Sequence, residues 1–206
     1  MTESTKGPAR RGRPRAFDRD EALRRAMEAF RAHGYDGTSM TQLVDAMGIA
    51  SPSIYAAFGS KDALFSEAVD LYVASEVAPS WDALERIDDA GEAVRAMLFA
   101  SIDVFAARAA PRGCLVVLGA GHLGGEDGAA RAILRDRRHL FRERLLARLS
   151  RDDAGKGPAA DRDPGALADC VMAFFGGLAI QAADGGGRHR LREAAALFCD
   201  GLFPRR

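Results

Sequence analysis

Apolar residues recur at three- and four-residue spacing through most of this 206-residue chain, and alternating strand-like runs are nearly absent. Leu23, Ala26, Met27 and Phe30 form a first stripe, opened by Asp18 with Glu21 three residues on and closed near Gly34. Leu43, Val44 and Met47 form a second, which ends at Gly48, a residue free to take the left-handed conformation that stops a helix. Ser51 as N-cap and Pro52 at the first helical position predict a third helix three residues later, with Ile54 and Phe58 one turn apart as its buried anchors. Ser60 caps a fourth, whose stripe of Leu64, Phe65, Ala68, Val69, Leu71 and Tyr72 runs towards Pro79. Beyond Trp81 helical patterns cover residues 93–108, 129–149, 165–184 and 188–203, with a short apolar segment at 114–119. Residues 150–165 are polar and rich in helix breakers, which predicts a long loop. The pattern as a whole predicts an all-α protein.

Two short helices about a glycine turn, followed at once by a third helix start, are the layout of a helix-turn-helix. With Ile54 and Phe58 turned inward, Ser51, Ser53 and Tyr55 fall on other faces of the second short helix, where a nucleic-acid groove can be reached. Lys61, beside the Ser60 cap, is placed to reach a phosphate drawn to the exposed N–H groups of the helix start. The residues Gly34-Tyr35-Asp36-Gly37-Thr38-Ser39-Met40, the Gly48 turn, Ser51-Pro52-Ser53-Ile54-Tyr55, Phe58 and Ser60-Lys61-Asp62-Ala63-Leu64-Phe65 resemble the DNA-binding domain of the TetR family of transcriptional regulators, over roughly residues 16–66. That resemblance implies an N-terminal three-helix DNA-binding domain and a larger helical domain for ligand binding and dimerisation. It implies phosphate contacts from Tyr55 and Lys61, and contacts to backbone or bases from Thr38, Thr41, Gln42, Ser51 and Ser53. Ala56 and Ala57 depart from the larger or polar residues common before the Phe, so base readout is not expected there.

Charge changes this picture only locally. The chain carries 29 basic and 29 acidic residues, yet its first sixteen hold Lys6, Arg10, Arg11, Arg13 and Arg15 against Glu3 alone. Pro8, Gly12 and Pro14 exclude a helix, so residues 1–15 are expected to form a flexible arm. Its core, Arg11-Gly12-Arg13-Pro14-Arg15, resembles an AT-hook, an extended element for narrow minor grooves. The expected organisation is therefore an arm at 1–15, a DNA-binding domain at 16–66 and a ligand-binding and dimerisation domain at 67–206. No secretion signal is evident and no apolar run approaches the roughly 20 residues that span a bilayer, which predicts a cytoplasmic protein. Cys114, Cys170 and Cys199 are scattered, as are four histidines, so neither a disulfide framework, a metal site nor a cofactor is expected.

A second function class competes at Cys114-Leu115-Val116-Val117-Leu118-Gly119-Ala120-Gly121-His122-Leu123-Gly124. Taken alone it reads as a buried strand feeding a Gly-x-Gly-x-x-Gly phosphate turn, the fingerprint of a dinucleotide-dependent oxidoreductase. Such a turn requires a second strand and an acidic residue about 20 positions on, whereas residues 129–149 are one Arg-rich helical pattern. The TetR resemblance instead makes this segment a helix start in the ligand domain, and no catalytic residue is expected.

The last two helical patterns carry apolar faces too wide for simple surface helices, and Gly176-Gly177 in mid-helix suggests close approach by another helix. In the family resembled, the corresponding helices pair with their twins in a four-helix bundle, which puts Phe174, Gly177, Leu178, Gln181, Leu191, Ala195, Phe198 and Leu202 at a homodimer interface. Effector contacts are expected from Phe99, Ile102, Phe141, Met172 and Phe175, with Asp103, Cys114 and His122 as polar candidates. For Cys114 two readings stand open. Arg112 and a nearby helix start favour a reactive thiolate, while Leu115-Val116-Val117 favours an inert, buried thiol. The function expected is that of a ligand-responsive repressor binding a pseudo-palindromic operator as a homodimer, two recognition helices in successive major grooves.

Overall fold

The computed structural model describes residues 17–107, 113–120, 128–151 and 162–204, and among these every regular element is helical. Helix α1 (Arg19–His33) starts where Asp18 accepts the amides of Asp20 and Glu21, and it buries Ala22, Ala26, Met27 and Phe30. Glu21 does not reach back to complete a capping box. Its carboxylate is held by Arg24 and Arg25 one turn on. Helix α2 (Met40–Met47) does have the full box: the Ser39 hydroxyl accepts the Gln42 amide while the Gln42 side chain accepts the Ser39 N–H. It ends at Gly48, at φ +70° and ψ 24°, the left-handed stop that the pattern predicts.

Helix α3 (Ser51–Phe58) opens one residue earlier than expected. Ala50 is the N-cap and supplies no side-chain bond, Ser51 is already helical, and Pro52 sits in the first turn, where a missing N–H leaves no bond unmade. Helix α4 (Lys61–Tyr72) begins at Ser60, whose hydroxyl accepts the Ala63 amide at 3.0 Å. It does not run on unbroken to Pro79. A π-helical turn, Val73–Val77, intervenes before the short helices α5 (Ala78–Trp81) and α6 (Ala83–Arg86). The wider turn shifts the register by which α5 presents Trp81 to the core.

The larger part of the chain is a bundle of α7 (Ala90–Phe105), α9 (Ala129–Leu149), α10 (Pro164–Ala183) and α11 (Arg188–Leu202), with the one-turn helix α8 (Leu115–Leu118) wedged against α4, α9 and α10. Its centre is aromatic. Trp81 lies 4.7 Å from Phe141 and 5.6 Å from Phe175, and Phe105 lies 5.1 Å from Phe175, mostly edge to face. Contrary to the sequence expectation, α10 is long and apolar enough, by length and composition, to cross a membrane. Leu167, Ala168, Val171, Phe175, Leu178, Ala179 and Ala182 place its apolar stripe in the bundle core. Helix α4 packs along α1 on one side and against α8 and α9 on the other, so it is the member common to both parts of the chain.

Candidate nucleic-acid interface

Leu43, Met47, Ile54 and Phe58 lock α2 and α3 onto α1 and α4, which leaves the opposite faces of both short helices outward. Tyr55 is 48% exposed, Thr41, Gln42 and Ala56 are exposed, and Ser51 and Ser53 are partly covered. Gln42 keeps its amide NH2 free to donate outward, because its carbonyl oxygen is spent on the Ser39 N–H at 2.7 Å. At the end of α3, Arg19 fixes the supporting side: its guanidinium lies 4.4 Å over the Phe58 ring and pairs with Glu67 at 2.7 Å.

Two predicted contacts stand differently. Thr38 is wholly buried, its hydroxyl donating to the Gly34 carbonyl at 2.6 Å, so it braces the turn between α1 and α2 and is withdrawn as a DNA contact. Lys61 is held by Tyr35: Nζ donates to the Tyr35 carbonyl at 2.8 Å and lies 4.1 Å from the Tyr35 ring centroid. Tyr35 in turn donates its hydroxyl to Asp62, and burial followed by that bond pushes its pKa up to about 12. Sequence reasoning missed Tyr35. Its signal was the Gly34 before it, at φ +70°, which lets the backbone pass within van der Waals contact of Gly119; a Cβ there would lie 3.3 Å from the Gly119 oxygen. The Tyr35 N–H donates to that oxygen at 2.7 Å, so α8 of the large domain is hydrogen-bonded directly to the loop that carries α2. Arg11, Arg13 and Arg15 lie outside the described residues.

Of the effector candidates, Ile102, Phe141 and Phe175 are buried, and Phe141 and Phe175 share the aromatic cluster with Trp81 and Phe105. Met172 and Phe99 are partly covered. Asp103 does not face that cluster: it bonds Arg192 at 2.6 Å and pairs with Arg188 at 3.3 Å, tying α7 to α11 at the surface, so it is withdrawn as a polar contact for an effector. His122 lies outside the described residues. Cys114 is 1% exposed, and burial pushes its thiol up, with the amides of Val117 and Val116 and the Tyr72 hydroxyl acting the other way. The buried, protonated thiol is the reading the structure favours.

On the predicted dimer face, Leu178, Leu191 and Ala195 turn inward into the core of their own chain and are withdrawn. Packing of α10 on α7 and α9, and of α11 on α7, consumes that side of both helices. Phe174 and Phe198 stack at 4.1 Å on the other side, where Gln181 is exposed, Leu202 is partly covered and a Cβ on Gly177 would meet nothing. Leu197, 75% exposed, and Ile180, 49% exposed, belong to this face and were missed by the sequence reading.

A capped helix pair about a left-handed glycine, with a polar outer face carried on a helical bundle, defines a DNA-binding regulator of the helix-turn-helix class. Residues 22–68 match the family model described as bacterial regulatory proteins, tetR family. The chain is 32% identical over 187 residues to the HTH-type transcriptional repressor ComR of Escherichia coli K12, covering 90% of this chain and 89% of the relative. It is 28% identical to the repressor BdcR of the same organism, with the same coverage. Among solved structures, a cysteine-substituted form of the TetR-family regulator CifR in complex with a 26-base-pair double-strand operator superposes with a TM-score of 0.86 at 39% identity, covering 94% of this chain and 100% of that one. The chain belongs to the tetR family of transcriptional regulators. The oxidoreductase alternative is overturned, since residues 115–118 are helical and no strand exists among the described residues.

Proposed function

We propose that this regulator is a repressor that binds a pseudo-palindromic operator as a homodimer and leaves it when a small molecule occupies the large domain. The observation that carries the reading is the exposed, polar outer face of α2 and α3, with Tyr55, Gln42 and Thr41 in front and Lys61 at the next helix start. Tyr55 and Lys61 hold phosphates; Ser51, Ser53, Thr41 and Gln42 meet backbone or base edges; the arm at residues 1–15, with Arg11, Arg13 and Arg15, follows the adjacent minor groove. Two relatives named as repressors, and the CifR complex with operator DNA, support the direction of control and the DNA partner. Dimerisation is supported by the uncovered face of α10 and α11, where Leu197, Ile180, Phe174 and Phe198 sit beside the open Gly176-Gly177 stretch. This reading places the protein in the cytoplasm, with no catalytic role and no cofactor. The effector enters near the aromatic cluster of Phe141 and Phe175.

The test is selection of bound fragments from genomic DNA with the full chain, followed by footprinting. Two protected half-sites about one helical turn apart are expected, at a stoichiometry of one dimer per duplex. Protection without two-fold symmetry would overturn the homodimer reading.

A further inference from the structure

Several partly covered cations of this chain are neutralised where they stand: Arg142 bonds Asp169, Arg144 lies between Asp82 and Glu85, and Arg192 bonds Asp103. Lys61 is different. It forms no ion pair among the described residues, and its ammonium is held instead by one uncharged residue, Tyr35. Nζ donates one hydrogen to the Tyr35 carbonyl at 2.8 Å, and the Tyr35 ring lies 4.1 Å from it. An ammonium has three donors, so this arrangement spends one and leaves the positive charge unneutralised for an outside acceptor.

The ring that holds Lys61 is itself fixed. It stacks on Phe30 of α1 at 6.2 Å, meets Phe65 of α4 edge to face at 5.1 Å, and donates its hydroxyl to Asp62. The backbone of the same residue is tied to the large domain, since its N–H donates to the Gly119 carbonyl, at the end of α8, at 2.7 Å. That approach depends on Gly34, at φ +70°, where a Cβ would lie 3.3 Å from the Gly119 oxygen. Three groups of one residue, N–H, carbonyl and ring, thus run from the large domain to a single cation at the start of α4. Lysine carries its charge on a flexible four-carbon stem, and a stem confined in advance loses less freedom when it meets a phosphate.

We propose that Tyr35 is a positioning residue for operator binding: it holds the Lys61 ammonium ready for a backbone phosphate, and through Gly119 it makes that readiness depend on where α8 lies. The assignment rests on the regulator reading and on Lys61 as a phosphate contact, and it adds the residue that sets the contact. A displacement of α8 moves the Tyr35 backbone, and the ammonium with it, while every charge of the chain stays the same.

The experiment is fluorescence anisotropy of the full chain on a duplex recovered by the genomic selection and on an unrelated duplex of equal length, across a salt series. Wild type is compared with Lys61→Ala, Tyr35→Leu, Tyr35→Phe, Gly34→Ala and the double variants that combine Lys61→Ala with each. Tyr35→Leu alters no charge of the DNA-facing side, yet it should weaken both duplexes by about threefold to tenfold and lower the salt slope by up to about one, as Lys61→Ala does. In the Lys61→Ala background it should have no further effect, and Gly34→Ala should show the same non-additivity. Tyr35→Phe keeps the ring and the carbonyl, so it should keep the wild-type slope. A merely loosened fold has another signature: its loss of affinity leaves the slope unchanged and persists when Lys61 is absent. Losses that add to that of Lys61→Ala, or a wild-type slope in Tyr35→Leu, therefore overturn the assignment. Wild-type binding by Lys61→Ala overturns it too, since there is then no contact to position. Absence of binding by the wild-type protein is the separate outcome that defeats the regulator reading itself.

Discussion

Helix α3 and the α10–α11 pair each leave a surface that the chain does not cover, and the two surfaces are opposite in chemistry. On α3 the uncovered side is Tyr55 at 48% exposure with Ser51, Ser53 and Ala56 about it, small or hydrogen-bonding groups over a short helix. On α10 and α11 it is Leu197 at 75% and Ile180 at 49%, with two stacked phenylalanines and adjacent glycines. The difference follows from what each is expected to meet. A duplex presents fixed charges and groove edges, so contact needs donors and short side chains. A second copy of the same helices presents apolar surface, so contact needs area and close approach.

The comparison can be broken most severely at the apolar face. Leu197→Arg, or Gly177→Leu, should convert the proposed dimer to a monomer in sedimentation and lower operator affinity by about a hundredfold or more, because the second half-site no longer binds intramolecularly. The space at Gly177 is open within one chain, so the melting of the isolated subunit should change little. A fully dimeric Gly177→Leu protein would show that the pair of glycines lies outside the interface.

At the polar face the effects are smaller and spread evenly over sequences. Lys61→Ala and Tyr55→Phe should each weaken operator and non-operator DNA alike, by about tenfold at most. The salt slope for Lys61→Ala should drop by about one. Since Lys61 also holds the Tyr35 carbonyl, circular dichroism of the variant separates lost phosphate contact from a loosened loop. Removal of residues 1–15 should reduce affinity most on A·T-rich flanks; equal losses on G·C-rich flanks would refute the minor-groove assignment.

Thr38 sharpens the line between contact and support. Thr38→Val leaves the Gly34 carbonyl without its buried donor, which should cost about 1–3 kcal/mol and lower Tm by several degrees while the salt slope stays at the wild-type value. The smallest expected effect is alkaline. Tyr35 keeps its proton more tightly folded, with a pKa of about 12, than in the unfolded chain, near 10. The stability that this shift contributes is therefore complete below about pH 10 and is lost as pH rises towards 12. Tyr35→Phe should flatten that decline in a series of urea melts.

How much could be read in the sequence divides along the same line. The DNA-binding part was legible nearly residue by residue, because its determinants are local: Asp18 and Ser60 cap their own helices, Gly48 stops its own, and Ile54 and Phe58 define an inward side within one turn. The one-residue shift at Ala50 and the burial of Thr38 are small corrections of the same local kind. In the large part the helices themselves were legible, but which side of each faces where was not. Leu178 and Ile180 are equally apolar and two residues apart, yet one is 1% exposed and the other 49%. Spacing yields a wide stripe, and only the packing of α7, α9 and α10 decides which half of it the chain uses.

The chain alone therefore determined an all-α architecture, the helix-turn-helix and its outward polar residues, since helix periodicity and capping act over three or four positions. Tertiary structure decided the rest. It brought Gly34 to Gly119 and Asp103 to Arg192, groups separated by tens of residues. No local pattern records such meetings, because they depend on the angles at which four helices cross, and those angles are set by the summed fit of the side chains in the core.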